Sequence, residues 1–225
     1  MNKGESRKGA AASPAYAEGL ATAESYWNDK AGSSSTDCER VEQSLRTQRM
    51  RFEAFLKYHD VRGKTVLDVG CGAGDLLAHL QRSGIDCEYF GFDLSPAMIA
   101  RCRERFPNGN FESGDILKWQ PGRRFDHVIS IGIHNIRIPQ GPVLLDEITR
   151  RQFELCSVSA HVSILTDRFQ GFAPHIQAWR AEEVLTMALA ITPYVVLRHD
   201  YLPNDFSVTL YREPLIDTRK DLLLD

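Results

Sequence analysis

Residues 65–75 read TVLDVGCGAGD, and this stretch decides the fold. Its apolar residues lie between polar flanks and predict a short buried strand rather than a membrane segment. Glycines then follow at every second position, as Gly70, Gly72 and Gly74. Because glycine has no Cβ, these positions allow a tight turn and let a ligand approach bare main chain where a helix, predicted over 75–81, begins.

A dinucleotide-binding turn with the pattern G-x-G-x-x-G is the main alternative for this stretch. The third glycine of that pattern would fall at Asp75, whose negative charge would lie close to a pyrophosphate. Since like charges repel, the sequence disfavours a dinucleotide. Asp68, just before the turn, favours a ligand with a cationic end. A glycine-rich connection without a ligand is the plainer alternative.

Two further acids follow segments that are predicted to be strands. Residues 89–94 (YFGFDL) place Asp93 about 20 residues beyond the last glycine, the offset expected for an acid that accepts ribose hydroxyls. Residues 110–116 (NFESGDI) place Asp115 in the same way, and residues 125–131 (FDHVISI) predict a fourth strand. Open α/β sheets bind ligands at the carboxyl ends of their strands, so we expect both acids at one site.

In order and spacing, these four segments resemble the motifs of the class I S-adenosylmethionine-dependent methyltransferase family. VLDVGCGAGDL is similar to the first motif, GFDLSPAMI to the second, SGDI to the third and FDHVIS to the fourth. The resemblance covers residues 61–212 and is more specific for fold and cofactor than for substrate. It implies a Rossmann-like α/β fold: a seven-stranded, mostly parallel sheet with an antiparallel C-terminal hairpin and an N-terminal helical lid.

The resemblance also implies which residues hold S-adenosylmethionine. The glycine backbone would pack against its amino-acid end with Asp68 nearby, and Asp93 would accept both ribose hydroxyls. Asp115 would accept the adenine amino group while the Ile116 N–H meets the ring. The cofactor-binding residues predicted in this way are Asp68, Gly70, Gly72, Gly74, Asp93, Leu94, Asp115, Ile116 and Ile131.

The loop after the fourth predicted strand, residues 132–137 (GIHNIR), should face the reacting centre. His134 is a candidate general base because its reference pKa lies near neutrality, and a structural histidine is an equal alternative. Asn135 is a candidate for holding an acceptor amine or hydroxyl; otherwise its amide satisfies the loop backbone. Three polar residues further along the chain are weaker candidates: Asp167, His175 and Tyr201.

Residues 1–35 are predicted to be a flexible N-terminal segment and a possible lid. A weak helical pattern begins at Ala15 and reaches the aromatic pair Tyr26 and Trp27 before residues 31–35 (AGSSS) interrupt it. The pair either closes over the cofactor, which makes Tyr26 a candidate catalytic residue, or simply docks the segment on the body of the protein.

Residues 36–215 are predicted to form the S-adenosylmethionine-binding domain, followed by a tail over 216–225. A helix that starts at Asp37 should carry a core-facing stripe of apolar residues and, largely off that stripe, three arginines. One arginine could reach the carboxylate of a bound amino-acid moiety, while a solvated face is the alternative. The stripe is Val41, Leu45, Phe52, Phe55 and Leu56, and the arginines are Arg46, Arg49 and Arg51.

The rest of the chain alternates strands and helices, as a parallel sheet with right-handed crossovers requires. Ser95 and Pro96 are typical of the start of a helix. The predicted helices are 96–105, 143–155 and 179–189; the predicted strands are 158–165 and a hairpin of 194–199 with 206–211.

Composition narrows the class of partner. The chain has 225 residues, 43% of them hydrophobic, and a formal net charge of −3, which favours one domain and does not support a nucleic-acid or membrane partner. Its 5 cysteines are scattered without CxxC pairs, which argues against a disulfide framework or a metal site. We therefore expect a cytoplasmic monomer or homodimer without a metal.

Three functions are compatible with these features. The fourth motif lacks the NPPY-like signature of enzymes that methylate amino groups of nucleobases or glutamine, and this favours methyl transfer to a small molecule. The aromatic N-terminal segment and the Gly-Ile-His-Asn turn are also similar to small bacterial enzymes that cyclise S-adenosylmethionine to azetidine-2-carboxylate and methylthioadenosine. A non-catalytic S-adenosylmethionine-binding protein is the third interpretation.

Overall fold

The computed structural model describes residues 14–33 and 44–216. One sheet of seven strands has the order β3-β2-β1-β4-β5-β7-β6. Strands β1 to β5 are mutually parallel where they pair, and β7 runs antiparallel to both β5 and β6. The strands are β1 Thr65–Val69, β2 Glu88–Asp93, β3 Asn110–Ser113, β4 Phe125–Ile131, β5 Cys156–Leu165, β6 Val195–Leu202 and β7 Asp205–Tyr211.

Helices cover both faces of this sheet. They are α1 Pro14–Ser33, α2 Leu45–Leu56, α3 Asp75–Arg82, α4 Pro96–Arg105, α5 Gly141–Leu155 and α6 Ala181–Leu189. The predicted Rossmann-like α/β fold with an antiparallel C-terminal hairpin is confirmed. No helix within the described ranges is long and apolar enough to cross a membrane.

Strand β1 lies inside the sheet, between β2 and β4, and its two faces pack against different layers of the core. Successive side chains of a strand point to opposite faces, so Val66 packs with one layer and Leu67 with the other. The first layer contains Phe55 from α2 and Leu76 from α3, and the second contains Leu144 from α5. The chain runs outward from β1 in both directions, which makes the carboxyl end of β1 the switch point where such sheets bind ligands.

Several elements lie where the sequence predicts them, because residues close to their ends determine their bounds. Strand β4 and helix α4 have the predicted bounds. Helix α4 begins correctly because the Ser95 hydroxyl accepts a hydrogen bond from the Met98 N–H, as an N-cap residue does. Strand β3 is shorter than predicted: it ends at Ser113, after which the Gly114 N–H donates to the Asp93 carbonyl and the chain turns away.

Three further elements are shifted by two residues at their start. Helix α5 begins at Gly141 rather than 143, and strand β5 begins at Cys156 rather than 158. Helix α6 begins at Ala181 rather than 179, because Trp179 instead forms a bridge with Thr166 beside the sheet. These differences leave the order of elements unchanged.

The predicted start of α2 cannot be compared with the structure, because Asp37 and Val41 lie outside the described residues. The described helix begins at Leu45 behind an N-cap at Ser44, whose hydroxyl accepts from the Thr47 N–H. Placing Leu45 in the core was wrong, since it is 72% exposed. Periodicity identifies the face of a helix but not how far along it the neighbouring layer reaches.

Three described members of the α2 stripe face the core as predicted: Phe52, Phe55 and the partly buried Leu56. Phe52 and Phe55 are buried. Arg51 is also buried, although its position off the stripe indicated a solvated face. The reason is an ion pair with buried Asp205 at the start of β7.

Helix α1 continues to Ser33, through part of the predicted interruption. It packs against α4 and α5, above the carboxyl ends of the central strands. Tyr16 is fully buried in the core layer that contains α5. The N-terminal helix is therefore an integral part of the wall around the switch point.

Candidate functional site

The glycine turn after β1 has the backbone geometry that its sequence requires. Gly70 and Gly72 have φ values of 76° and 55°, in the left-handed region that glycine adopts without strain. A Cβ on Gly70 would lie 2.0 Å from Cγ2 of Ile133. The turn therefore brings bare backbone against the loop that follows β4. Gly74, with φ 81°, is the N-cap of α3.

Asp93 connects the glycine turn to the next helix. Its Oδ2 accepts a hydrogen bond from the Gly72 N–H at 2.8 Å, and its Oδ1 accepts one from the Ser95 N–H at 2.8 Å. Burial raises the pKa of Asp93 to about 6, although both backbone hydrogen bonds oppose the rise. Each carboxylate oxygen can still accept a second hydrogen bond, as two ribose hydroxyls would require.

Asp68 is a buried acid at the end of β1. The Tyr89 hydroxyl donates to its Oδ2 at 2.6 Å. Burial raises the pKa of Asp68 to about 7, the Tyr89 hydrogen bond lowers it, and the charges of Asp93 and Asp75 raise it. A cation beside Asp68 would relieve this accumulation of negative charge, so the electrostatics favour a positively charged ligand group.

Asp115 follows β3 and is held by helix α1. Its Oδ1 accepts hydrogen bonds from the Tyr16 hydroxyl at 2.7 Å and from the Leu117 N–H at 3.0 Å. Its Oδ2 accepts no hydrogen bond from the described part of the chain, and the exposed Lys118 ammonium lies 3.2 Å away. Sequence reasoning missed Tyr16, because nothing local marks a partner that is 99 residues away.

A cavity opens at the carboxyl ends of β1, β2 and β4 and contains most of the predicted cofactor residues. Helix α1 forms one wall with a stripe of three apolar side chains. Asp115 borders this cavity through its neighbour Gly114. The lining includes Leu20, Ala23, Trp27, Gly70, Gly72, Asp93, Leu94, Gly114, Ile116, Ile131, Gly132, Ile133 and His134.

Two further cavities adjoin the first. One shares Gly70, Gly72 and Ile131 with it and contains Asp68. The other shares Trp27 and Gly132 with it and combines polar with apolar side chains. That third cavity is lined by Trp27, Ser44, Thr47, Arg51, Gly132, Asn135, Ile136, Leu165, Phe172, Ile176 and Asn204.

His134 lies in the wall of the first cavity. Burial lowers the pKa of its imidazole to about 3, so the ring is neutral near pH 7. Its backbone carbonyl accepts a hydrogen bond from the Trp179 indole at 2.9 Å, and its Nε2 has no hydrogen-bond partner among the described residues. Such a ring is a weak base. It is better suited to hydrogen bonding with a ligand, and its catalytic role stays a prediction.

Asn135 lies in the third cavity, and one end of its amide is already used. Its Oδ1 accepts a hydrogen bond from the Leu165 N–H at 3.1 Å. Because the carbonyl end points to that donor, the NH2 end is the one available to a ligand. The sequence suggested that Asn135 holds an acceptor amine or hydroxyl, and the arrangement suits an oxygen acceptor, such as a carboxylate or carbonyl, better than an amine.

A buried network supports the third cavity from behind. Arg51 Nε lies 2.7 Å from Asp205 Oδ2, and the Ser163 hydroxyl donates to Asp205 Oδ1 at 2.8 Å. The Tyr201 hydroxyl donates to the same Oδ1, which gives this weaker sequence candidate a structural contact. The i, i+4 spacing of Arg51 and buried Phe55 was the one signal that could have revealed that Arg51 faces inward.

The remaining candidates, Tyr26, His175 and Asp167, line none of these three cavities. Tyr26 stacks edge-on against Trp27, with ring centroids 4.9 Å apart, and its centroid lies 6.5 Å from that of His175. Trp27, rather than Tyr26, lines the first and third cavities. Asp167 is partly exposed and lies 3.7 Å from Arg168. The catalytic role of Tyr26 therefore stays a prediction.

Comparison with known proteins agrees with this geometry. Residues 66–151 match the model of a family described as a methyltransferase domain. The trans-aconitate 2-methyltransferase of Escherichia coli is 40% identical over 65 residues, which are 29% of this chain and 26% of that relative. The chain thus matches only about a quarter of the length of this curated relative.

Solved structures share the fold over most of the chain. The magnesium protoporphyrin IX methyltransferase ChlM from Synechocystis PCC 6803, solved with bound S-adenosylmethionine, has a TM-score of 0.62 at 14% identity and covers 86% of this chain and 97% of its own. The structure of DhpI with S-adenosylhomocysteine has a TM-score of 0.62 at 18% identity and covers 88% and 98%. Residues 66–151 are thus similar to a methyltransferase domain, and the chain shares the fold of these solved structures.

Proposed function

We propose that the chain binds S-adenosylmethionine in the cavity between the glycine turn and α1 and transfers its methyl group to a small molecule. The observation that carries this proposal is the hydrogen bond from the Gly72 N–H to Asp93, which joins the first and second motifs around one cavity. The solved neighbours that hold S-adenosylmethionine or S-adenosylhomocysteine support the same assignment.

Each part of the ligand has a matching set of groups. Asp93 accepts the ribose hydroxyls with the lone pairs left by Gly72 and Ser95. The adenine lies between Gly114 and Ile116, beside Asp115. The methionine end extends over the glycine turn into the adjoining cavity, where Asp68 compensates its positive charge.

The chemistry that this ligand supplies is an electrophilic methyl carbon bonded to a sulfonium. Transfer is an in-line displacement: a bond forms between the acceptor atom and the methyl carbon while the carbon–sulfur bond breaks and its electron pair stays on sulfur. The chain has to orient the acceptor and exclude water. The apolar side chains of α1 over the cavity, Leu20, Ala23 and Trp27, supply the exclusion.

The third cavity is the proposed acceptor site. It meets the first at Gly132 and Trp27, so a bound acceptor would face the reactive end of the cofactor. The Asn135 NH2 group offers a hydrogen bond, whereas the hydroxyls of Ser44 and Thr47 already bond to each other at 2.8 Å. The apolar side chains suit a compact organic molecule. This lining supports a small acceptor that carries a carbonyl or carboxylate oxygen.

Helix α1 covers one side of the cavity with Leu20, Ala23 and Trp27. We therefore assign the described part of the N-terminal segment as a lid. Its contacts with α4 and α5 include the hydrogen bond at 2.6 Å that the Ser95 hydroxyl donates to Asn28. A cytoplasmic location stays an expectation.

Cyclisation of S-adenosylmethionine is the second candidate, and the apolar cover formed by α1 favours it. The α-amine of the ligand would attack its own γ-carbon, forming a carbon–nitrogen bond and expelling methylthioadenosine with the electron pair on sulfur. That reaction needs a closed cavity and no acceptor, whereas the third cavity provides room for one. Binding without turnover is the third possibility.

Product analysis separates these three functions. The purified chain is incubated with S-adenosylmethionine, alone and with a panel of small oxygen-bearing acceptors, and the nucleoside products are identified by mass spectrometry. Acceptor-dependent S-adenosylhomocysteine supports methyl transfer. Methylthioadenosine together with a four-membered-ring amino acid, formed without an acceptor, supports cyclisation. Tight binding without either product, across the panel, supports a binding protein and contradicts the enzymatic proposal.

A further inference from the structure

We propose that Tyr16 of α1 is a positioning residue for nucleobase recognition, because its hydroxyl fixes the Asp115 carboxylate so that Oδ2 is presented to the exocyclic amino group of adenine. The proposal rests on the proposed function, since it assumes that an adenosyl ligand binds in this cavity. It adds a role in ligand specificity for the N-terminal helix, beyond its role as a cover.

The geometry of the carboxylate is the first argument. Two donors, the Tyr16 hydroxyl at 2.7 Å and the Leu117 N–H at 3.0 Å, converge on Asp115 Oδ1. Asp115 Oδ2 accepts no hydrogen bond within the described ranges. The exposed Lys118 ammonium lies 3.2 Å from Oδ2 but makes no hydrogen bond to it. The two oxygens are therefore distinguished before a ligand binds, and Oδ2 keeps lone pairs that can accept from an amino group.

The state of the tyrosine is the second argument. Tyr16 is 0% exposed. Burial, followed by the hydrogen bond to Asp115 and the charges of Asp115 and Glu147, raises the pKa of Tyr16 far above its ordinary value. The hydroxyl stays protonated at all physiological pH values, so it always acts toward the carboxylate as a donor.

The placement of α1 is the third argument. Tyr16 begins a stripe that continues through Leu20, Ala23 and Trp27, and these three side chains line the cavity. At the other end of the stripe, Asn28 accepts from the Ser95 hydroxyl, next to the Ser95 N–H that holds Asp93. Helix α1 thus reaches the surroundings of both acids that recognise the nucleoside.

The consequence is discrimination between adenine and hypoxanthine. Adenine presents a donor at its 6-position and suits Oδ2, whereas hypoxanthine presents an oxygen there that a fixed carboxylate repels. Without the Tyr16 hydroxyl only the Leu117 N–H holds Oδ1, so the carboxylate is free to turn. Loss of the hydroxyl should weaken adenine binding more than hypoxanthine binding.

The experiment compares the dissociation constants of S-adenosylhomocysteine and S-inosylhomocysteine by titration calorimetry on the full chain. Tyr16→Phe should weaken binding of the adenine ligand about 5- to 10-fold, as expected for one lost hydrogen bond. Binding of the inosine ligand should change by less than about twofold. The dissociation constant of the inosine ligand divided by that of the adenine ligand should therefore fall. Tyr58→Phe is the matched control, because it removes a hydroxyl that donates to exposed Asp200 away from the cavity.

Asp115→Asn tests the same idea, because it should reverse the preference between the adenine and the inosine ligand. The Tyr16 and Leu117 donors should hold the amide oxygen at the Oδ1 position and leave the NH2 group for the ligand. The variant should then prefer the inosine ligand, and adding Tyr16→Phe should reduce that preference.

Several outcomes would overturn the inference. An equal loss of affinity for both ligands in Tyr16→Phe would mean that the residue only docks α1. Tighter binding of the adenine ligand in Tyr16→Phe would mean that the Tyr16 hydroxyl competes with the base for Asp115. If the unaltered chain binds neither ligand, the proposed function itself fails, which distinguishes the two failures.

Discussion

The Gly72 N–H donates a hydrogen bond to Asp93 Oδ2 over 2.8 Å, and this contact ties the glycine turn to the end of the neighbouring strand. The two residues belong to different motifs and are 21 positions apart in the chain. Their contact exists because β1 and β2 pair in parallel and end side by side, with Val69 opposite Phe92. The same contact orients Asp93 toward the cavity.

Asp93→Asn should weaken S-adenosylmethionine binding by about 1–3 kcal/mol, because an amide cannot accept hydrogen bonds at both of its terminal atoms. The amide keeps the size of the side chain, so the Gly72 or Ser95 N–H retains one acceptor. Dissociation constants from titration calorimetry test the effect, and Asp60→Asn on the surface is the matched control. An unchanged constant for Asp93→Asn would remove the ribose assignment.

The affinity for S-adenosylmethionine should rise about eightfold between about pH 6 and pH 7.5, below the usual pKa of an α-amino group. The reason is Asp68, whose pKa of about 7 in the free protein leaves it partly protonated over this range. A cationic ligand favours the ionised form, so binding releases a proton and weakens as the pH falls below 7.

Calorimetry in buffers of different ionisation enthalpy measures the released proton directly. Methylthioadenosine, which lacks the amino-acid end and the positive sulfur, should show a change of no more than about twofold, which comes from Asp93 with its pKa of about 6. Asp68→Asn should make the S-adenosylmethionine profile equally flat. A steep profile that persists in Asp68→Asn would assign the linkage to another group.

Arg51→Met should lower the free energy of unfolding by about 3–5 kcal/mol, since it leaves the carboxylate of Asp205 buried without a cation. Asp205 is 0% exposed, and Arg51 is 5% exposed. Urea denaturation measures the loss. Arg49→Met is a matched control on the same helix: its partner Glu53 lies 3.8 Å away and both side chains are exposed, so the expected cost is below about 1 kcal/mol.

A double-mutant cycle measures the interaction energy between Arg51 and Asp205. Arg51→Met combined with Asp205→Asn should be less destabilised than the sum of the single changes by more than about 1 kcal/mol, because the unpaired charge is then absent. Additive losses would show that the two residues stabilise the fold independently, and the network behind the third cavity would need another explanation.

His59 should make the protein more sensitive to acid. Burial lowers the pKa of His59 to about 4, whereas an unfolded histidine titrates near 6.5. Between these values the unfolded chain binds more protons, so stability is full above about pH 6.5 and is lost as the pH falls. From about pH 7 to pH 5 the unaltered protein should lose about 2 kcal/mol more than His59→Gln.

Chemical denaturation at both pH values measures this difference. The comparison between the two proteins is essential, because the raised pKa values of Asp68 and Asp93 act in the opposite direction over the same range and are common to both. Equal losses in the two proteins would mean that His59 takes up its proton without unfolding the chain.

Much of the fold is readable from the sequence because its signals are local. The glycine turn, the Ser95 N-cap and the strand signal of 125–131 each depend on residues within a few positions, and the structure has β4 and α4 where they were predicted. The positions of Asp68, Asp93 and Asp115 follow in turn, because each lies where a strand ends or just beyond it.

The contacts that shape the site were not readable. Tyr16 and Asp115 are 99 residues apart, and Arg51 and Asp205 are 154 apart. A single sequence gives the chemical character of each residue but not which distant residue the packing brings to it. His134 illustrates a further limit: its residue type indicates a base near neutrality, while its burial makes it a weak one.

Direct titration of the purified chain with S-adenosylmethionine and with S-adenosylhomocysteine tests the central claim most directly. The account predicts saturable binding of both ligands at one site per chain, with competition between them and loss of affinity in Asp93→Asn. Absence of saturable binding to the folded protein, or binding that Asp93→Asn leaves intact, would contradict the claim that this cavity holds the cofactor.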